Sequence, residues 1–121
     1  MIDVNSTGII EFVVDEASTA IALGSGDVPV LGTPKVVALI EQASIAAIGA
    51  QIEQESTTVG TKVMIRHLSP TKVGATVRAE AVVEDVRNGR ITIAVKVTEG
   101  NTLVAEGSHV RVVVDRDRFM G

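Results

Sequence analysis

A single carboxylate lies inside a helical segment that is otherwise uncharged. Glu41 is the only charged residue between Val36 and Ala50, and it shares a helical stripe with apolar residues. Removing a carboxylate from water is costly unless partners compensate for the lost hydration. We therefore expect Glu41 either to act chemically, as an acid, a base or a nucleophile, or to be a buried carboxylate that neighbouring groups satisfy.

Two further reactive side chains flank this segment. Thr33 precedes Pro34 and is predicted as the N-cap of the helix, where its hydroxyl can also serve catalysis. His67 ends the more apolar row of the strand Thr61–His67 and is either a base or a satisfied strand-end residue. His109 is the competing histidine. The chain has no cysteine, which excludes a thiolate nucleophile and a cysteine-based metal site, and we expect no metal.

Composition excludes several classes of partner. A net charge of -4 and an aromatic content of only two phenylalanines provide neither a basic surface nor stacking platforms for nucleic acid. No apolar run reaches the roughly 18 residues of a membrane span, and the N-terminal stretch lacks the pattern of a signal peptide. The sequence predicts a soluble, cytoplasmic protein of one domain, residues 1-121.

The elements that position these residues can be read from the periodicity. A long loop with several glycines, Asp15–Gly32, leads to a helix that runs from Thr33 to about Ala50. Asn88-Gly89 predicts a tight hairpin. The predicted strands are 9–14, 61–67, 77–86, 91–98 and 102 to about 114. A helix that is apolar nearly all round must be covered, so we expect an α+β domain in which a curved antiparallel sheet wraps around it.

With these elements, the chain resembles the hotdog-fold thioesterases, and most closely the group typified by fluoroacetyl-coenzyme A thioesterase. Thr33, Glu41 and His67 stand at the spacing of that group's threonine, glutamate and histidine. In "VGTKVMIRH", Gly60 matches a glycine close to the thioester carbonyl, and in "GSHVRVVV", Arg111 matches an arginine near the active site. The resemblance implies that the first three are catalytic and the last two bind substrate.

The resemblance also implies an activity and an assembly. We expect hydrolysis of a small or medium acyl-coenzyme A, with coenzyme A as part of the substrate and no separate cofactor, in a homodimer or a tetramer. The fluoroacetate-specific enzyme has an aromatic lid before the helix, whereas "ALGSGDVPVLG" has no phenylalanine, which favours general acyl-CoA hydrolysis. The alternatives are an enoyl-CoA hydratase-type hotdog enzyme and a non-catalytic module that binds acyl-CoA or coenzyme A.

Helix geometry adds one constraint on the mechanism. Thr33 and Glu41 on one helix are separated by roughly 12 Å along its axis, at about 1.5 Å per residue, and cannot form a hydrogen bond within one chain. We therefore hypothesise that a two-fold dimer forms composite sites at its interface. In such a site His67 would act as the base or proton shuttle, and Glu41 would orient it or attack the thioester.

Overall fold

A computed structural model describes residues 1–121 and places one long helix against a single antiparallel sheet. The strands are β1 Thr7–Val13, β2 Ser56–His67, β3 Thr76–Arg87, β4 Arg90–Glu99 and β5 Thr102–Asp115, and the helices are α1 Ala20–Leu23, α2 Thr33–Ile48 and α3 Arg116–Met120. Their order across the sheet is β1-β3-β4-β5-β2, so β1 and β2 are the edges. The predicted α+β architecture is confirmed. None of the helices has the length and apolar character needed to cross a membrane.

The hairpin between β3 and β4 forms where the sequence predicts it. Asn88 and Gly89 have positive φ angles of 51° and 81°. Two successive residues with positive φ give a turn whose twist matches that of the paired strands, and Asn-Gly adopts this conformation with little strain. The hairpin fixes the pairing register of β3 and β4 and thereby determines which residues of the two strands face inward.

One side of α2 fills the concave face of the sheet. Burying each Leu or Ile side chain here contributes about 1.5–3 kcal/mol, which holds the helix in one orientation. At Gly8 of β1 a side chain would collide with backbone atoms of Ala43 and Ala47, so glycine allows this edge strand to lie directly on the helix. The buried residues of α2 are Val36, Leu39, Ile40, Ala43, Ser44, Ala47 and Ile48.

The opposite side of α2 is less covered than its apolar sequence predicts. Val37 is half-buried and Ile45 is 48% exposed. Glu41 lies on this same stripe, as predicted, and its side chain is 37% exposed. The sheet of one chain encloses only one side of the helix, and the uncovered stripe of Val37, Glu41 and Ile45 is apolar apart from its carboxylate.

The segment before α2 is more regular than the loop predicted from its glycines. Asp15 caps a short 3-10 turn over Glu16–Ser18, and the hydroxyl of Thr19 accepts from the amide of Ala22 at the start of α1. An isolated bridge from Thr19 to Leu31 closes the segment on itself, and one from Val30 to Lys72 holds it against the chain that follows β2. Side-chain caps satisfy the first amides of these turns. The caps stabilise the turns although the glycines of this segment predict an irregular loop.

Strand β2 begins five residues before the predicted Thr61 and contains a β-bulge. Its pairing with β5 shifts between Gly60 and Lys62, so Thr61 is the additional residue. As a result, Gly60 and His67 both face α2, although they are seven positions apart in the sequence. Residues from the middle and from the C-terminal end of β2 therefore reach the same helix.

Candidate active site

A first cluster pairs Thr33 with His67 at the start of α2. The hydroxyl Oγ1 of Thr33 lies 2.8 Å from Nδ1 of His67. The N-cap of α2 is Gly32, and no side-chain cap bond forms, so the prediction that Thr33 is the N-cap is wrong. Thr33 is the first helical residue, with Pro34 next in the first turn. Its hydroxyl does not bond a helix amide and is therefore available to His67.

The environment of His67 favours its neutral form. Burial lowers the pKa of His67 below its usual 6.5, and the nearby backbone of Ser69 opposes part of that effect. If Nδ1 accepts the hydroxyl proton of Thr33, the ring carries its own proton on Nε2. Nε2 is buried and has no hydrogen-bond partner within the chain. Because an unpaired buried group costs about 1–3 kcal/mol, this nitrogen marks a position suited to a ligand or a second subunit.

A second cluster surrounds Glu41, about two helical turns further along α2. Oε2 of Glu41 accepts from Nη1 of Arg111 at 3.2 Å and lies 3.9 Å from Nε2 of His109. The side chain of Arg111 is only 6% exposed and that of His109 is fully buried. A guanidinium at this depth needs a compensating charge. Glu41 supplies it, so the carboxylate has the specific partner that its position requires.

Strand β2 completes the second cluster. Thr58 accepts from Nε of Arg111 through its hydroxyl and from Nη2 through its carbonyl, both at 3.0 Å. A Cβ atom at Gly60 would lie 2.6 Å from Oε2 of Glu41 and 2.9 Å from Cε1 of His109. Only glycine allows the strand to approach the carboxylate this closely.

The five predicted site residues therefore fall into two groups within one chain. Thr33 and His67 form the first, and Glu41, Gly60 and Arg111 form the second. The interaction between Glu41 and His67 hypothesised above is not formed within the chain and stays a prediction that requires a second subunit. No three His, Cys, Asp or Glu side chains are grouped so that they could hold a metal ion.

The prediction that His109 and Arg111 share a face is confirmed, because Nε2 and Nη1 are 3.2 Å apart. Sequence reasoning missed the two anchors of this pair, Thr58 and the carbonyl of Lys62, which lies 2.8 Å from Nδ1 of His109. The period of two places Thr58 on the face of Gly60 and could have identified it. The carbonyl of Lys62 lies at the bulge, for which the sequence contains no signal.

The free energy of unfolding should decrease as the pH falls below about 6.5, the ordinary pKa of histidine. Burial lowers the pKa of both His67 and His109 in the folded chain. Below pH 6.5 the unfolded chain therefore binds more protons than the folded chain, and stability is lost as pH falls. Urea unfolding at several pH values tests this, and His67→Gln should reduce the slope. A free energy independent of pH in this window would contradict the prediction.

Comparison with known proteins identifies similar sequences. The model of the fluoroacetyl-CoA-specific thioesterase family matches residues 14–117. The fluoroacetyl-CoA thioesterase of Streptantibioticus cattleyicolor is 28% identical over 90 residues, which make up 74% of this chain and 65% of that protein. The chain thus spans slightly less than two thirds of the length of this curated relative. The family match includes both clusters described above.

Solved structures agree with the fold. The fluoroacetyl-CoA thioesterase FlK has a TM-score of 0.92 to this chain at 25% identity, covering 99% of this chain and 93% of that one. A variant of FlK in complex with fluoroacetate and CoA gives 0.90 at 26% identity, covering 97% and 98%. A hot-dog-like protein from Thermanaerovibrio acidaminovorans gives 0.88 at 20% identity, covering 97% and 87%. The predicted hotdog fold is confirmed.

Proposed function

Because the chain belongs to the fluoroacetyl-CoA-specific thioesterase family, we propose that it hydrolyses a small or medium acyl-coenzyme A to the free acid and coenzyme A. The observation that carries this proposal is the 2.8 Å hydrogen bond between Thr33 and His67. A hydroxyl bonded to a neutral imidazole is suited to proton transfer during attack on a carbonyl carbon. The complex of an FlK variant with fluoroacetate and CoA supports a coenzyme A thioester as the substrate class.

In the proposed reaction, His67 accepts a proton from Thr33 or from a water molecule that Thr33 orients. The resulting oxygen nucleophile attacks the thioester carbonyl, the C–S bond breaks, and the leaving thiolate of coenzyme A takes up the proton that His67 carries. Attack by water gives the free acid directly, whereas attack by Thr33 gives an acyl ester that a water molecule must then hydrolyse. The positive end of the α2 dipole and backbone amides near Gly60 would stabilise the negative charge that develops on the carbonyl oxygen. Glu41 would supply the carboxylate that orients His67 or attacks the thioester itself.

A two-fold dimer would unite the two clusters. As an edge strand, β2 has backbone groups that can pair with β2 of a second copy. If the additional residue of the bulge is discounted, Gly60 and His67 lie three positions on either side of Met64. An axis at Met64 would therefore bring Gly60 beside His67 of the partner subunit. Glu41, which contacts Gly60, would then approach the Thr33–His67 pair of that subunit.

The surface beside β2 supports such a dimer. An open cleft of about 1050 Å³ extends from β2 across β5 and β4 to β3, and its lining includes Val37 of α2 together with Val63 and Ile65. Val37 belongs to the side of α2 that the sheet of its own chain leaves uncovered. A second copy would bury this apolar surface.

Met64→Cys should form an intersubunit disulfide under mild oxidation. Directly opposed residues of antiparallel strands have Cα atoms about 4.5–5.5 Å apart, which lies within the range of disulfides. The chain contains no cysteine, so no other thiol competes. Non-reducing electrophoresis measures the cross-link, and Ile9→Cys on the opposite edge, itself 42% exposed, is the matched control. Equal cross-linking of the two variants, or full activity of a monomer, would refute the composite site.

The activity itself is tested by following the release of coenzyme A with a thiol reagent. Acetyl-, fluoroacetyl-, longer acyl- and aryl-CoA form the panel, and the absence of cysteine removes any background from the protein. We expect turnover of at least one thioester and its loss in Thr33→Ala and His67→Ala. Binding of acyl-CoA without turnover would instead favour the non-catalytic module considered from the sequence.

A further inference from the structure

His109 is a buried titratable residue that the proposed chemistry does not use. Its side chain is fully buried on the helix-facing side of β5. Nδ1 lies 2.8 Å from the carbonyl oxygen of Lys62, and Nε2 lies 3.2 Å from Nη1 of Arg111. Both ring nitrogens thus have partners within the chain and neither reaches solvent, so His109 is not placed to exchange protons with a substrate.

These two contacts determine the tautomer of His109. A carbonyl oxygen can only accept a hydrogen bond, so Nδ1 must carry the proton that it donates to Lys62. A guanidinium can only donate, so Nε2 must present its lone pair to Arg111. Burial, which also lowers the pKa of His109, is consistent with a neutral ring in this form. His109 is therefore a fixed hydrogen-bond acceptor directed at Arg111.

The acceptor is one of four that surround the guanidinium of Arg111. Nε and Nη2 donate to the hydroxyl and the carbonyl of Thr58, both at 3.0 Å. Nη1 lies 3.2 Å from both Nε2 of His109 and Oε2 of Glu41. One hydrogen of Nη1 can bond each acceptor, which fixes the direction from which Arg111 reaches the carboxylate. Without Nε2, one hydrogen of a buried guanidinium loses its acceptor.

We propose that His109 is a positioning residue, which holds Arg111 and through it fixes the orientation of the Glu41 carboxylate. The inference rests on the proposed function, because the orientation of Glu41 matters for turnover only if Glu41 acts in the reaction. His109 acts here as a neutral acceptor, which differs from the role of a competing base that the sequence left open. Its protonation would replace the lone pair by a second donor facing Arg111.

Two uncharged substitutions separate this role from simple packing. His109→Asn can keep a donor near Nδ1 for Lys62 but removes the acceptor for Arg111, whereas His109→Gln can place an oxygen near the position of Nε2. We expect His109→Asn to lose about 30-fold or more in kcat with little change in KM, and His109→Gln to regain at least about 10-fold of that loss. Thermal unfolding verifies that both are folded. Equal losses in two folded variants would overturn the proposal.

A second measurement needs neither a variant nor activity. The chain has only two histidines, so long-range ¹H–¹⁵N spectra of the wild-type protein can be assigned with His67→Gln as the reference. We expect His109 to be neutral with its proton on Nδ1 at pH 7. A ring protonated on Nε2, or an imidazolium, would overturn the inference. Absence of turnover in the assay above would refute the proposed function while leaving this tautomer assignment unaffected.

Discussion

Replacing Glu41 with glutamine should reduce kcat/KM for the preferred thioester by about 10²–10⁴-fold, the range expected when a group that transfers or orients a proton is removed. The substitution retains the shape of the side chain. It also retains one oxygen that can accept from Nη1 of Arg111, which lies 3.2 Å from Oε2 of Glu41 in the wild-type chain. It removes the charge and the basic oxygen. We therefore expect the main loss in turnover, as followed by coenzyme A release. Because Arg111 loses its compensating charge, stability should also decrease, and thermal unfolding verifies that the variant remains folded.

A matched control separates the effect of the position of Glu41 from the general effect of exchanging a carboxylate for an amide. Glu53→Gln makes the same exchange at an exposed residue between α2 and β2, and we expect its activity to equal that of the wild type. If Glu41→Gln keeps full activity while remaining folded, the carboxylate is structural. Its role would then be limited to neutralising Arg111, whose side chain is only 6% exposed.

The fold was largely predictable from local patterns. Asn88-Gly89 fixes a hairpin through its positive φ angles, and the alternation of β3 and β4 defines which rows face the helix. Such signals depend on a few neighbouring residues, so one sequence suffices to read them. The prediction of the N-cap of α2 is wrong for a local reason. Glycine can serve as an N-cap but has no side chain by which a sequence pattern would identify it, whereas a threonine before a proline is a typical N-cap pattern.

The site was predictable only in part, because its contacts join distant segments. Thr33 and His67 were both identified as candidates, but no local pattern indicates that they form a hydrogen bond with each other. The partner of Glu41 was likewise unpredictable from helical spacing, since Arg111 lies 70 residues away on β5. The bulge at Thr61 decides that Gly60 and His67 face the same side, and this shift depends on pairing with another strand.

The two clusters require different surroundings along strand β2. His67 needs a partner for Nε2, which is buried and unpaired within the chain, while the guanidinium of Arg111 needs acceptors from its own chain. Because β2 is an edge strand, its paired side can carry the enclosed cluster and its free edge can receive a second copy. The proposed dimer satisfies both demands without any residue changing its partner within the chain.

Replacing Gly60 with alanine should reduce turnover by about 100-fold, the loss expected when a catalytic group is displaced by about 1 Å. The new Cβ would stand 2.6 Å from Oε2 of Glu41 and 2.9 Å from Cε1 of His109. His109 is buried and has little room to move, whereas Glu41 is 37% exposed and can turn away from Arg111. Most of the effect should therefore fall on activity, with about 1–3 kcal/mol lost in stability through overpacking. Gly49→Ala is the matched control, since a Cβ there meets nothing within 4 Å.

A double-mutant cycle decides how Gly60 acts. If alanine at this position works by displacing the carboxylate, then adding Gly60→Ala to Glu41→Gln should cost much less than about 100-fold, because the group it displaces is already inactive. If the two losses instead multiply in full, Gly60 acts independently of Glu41. The close approach of Gly60 to the thioester carbonyl, which the family resemblance implies, would then be its main role, and the 2.6 Å spacing to Oε2 would be a consequence of packing.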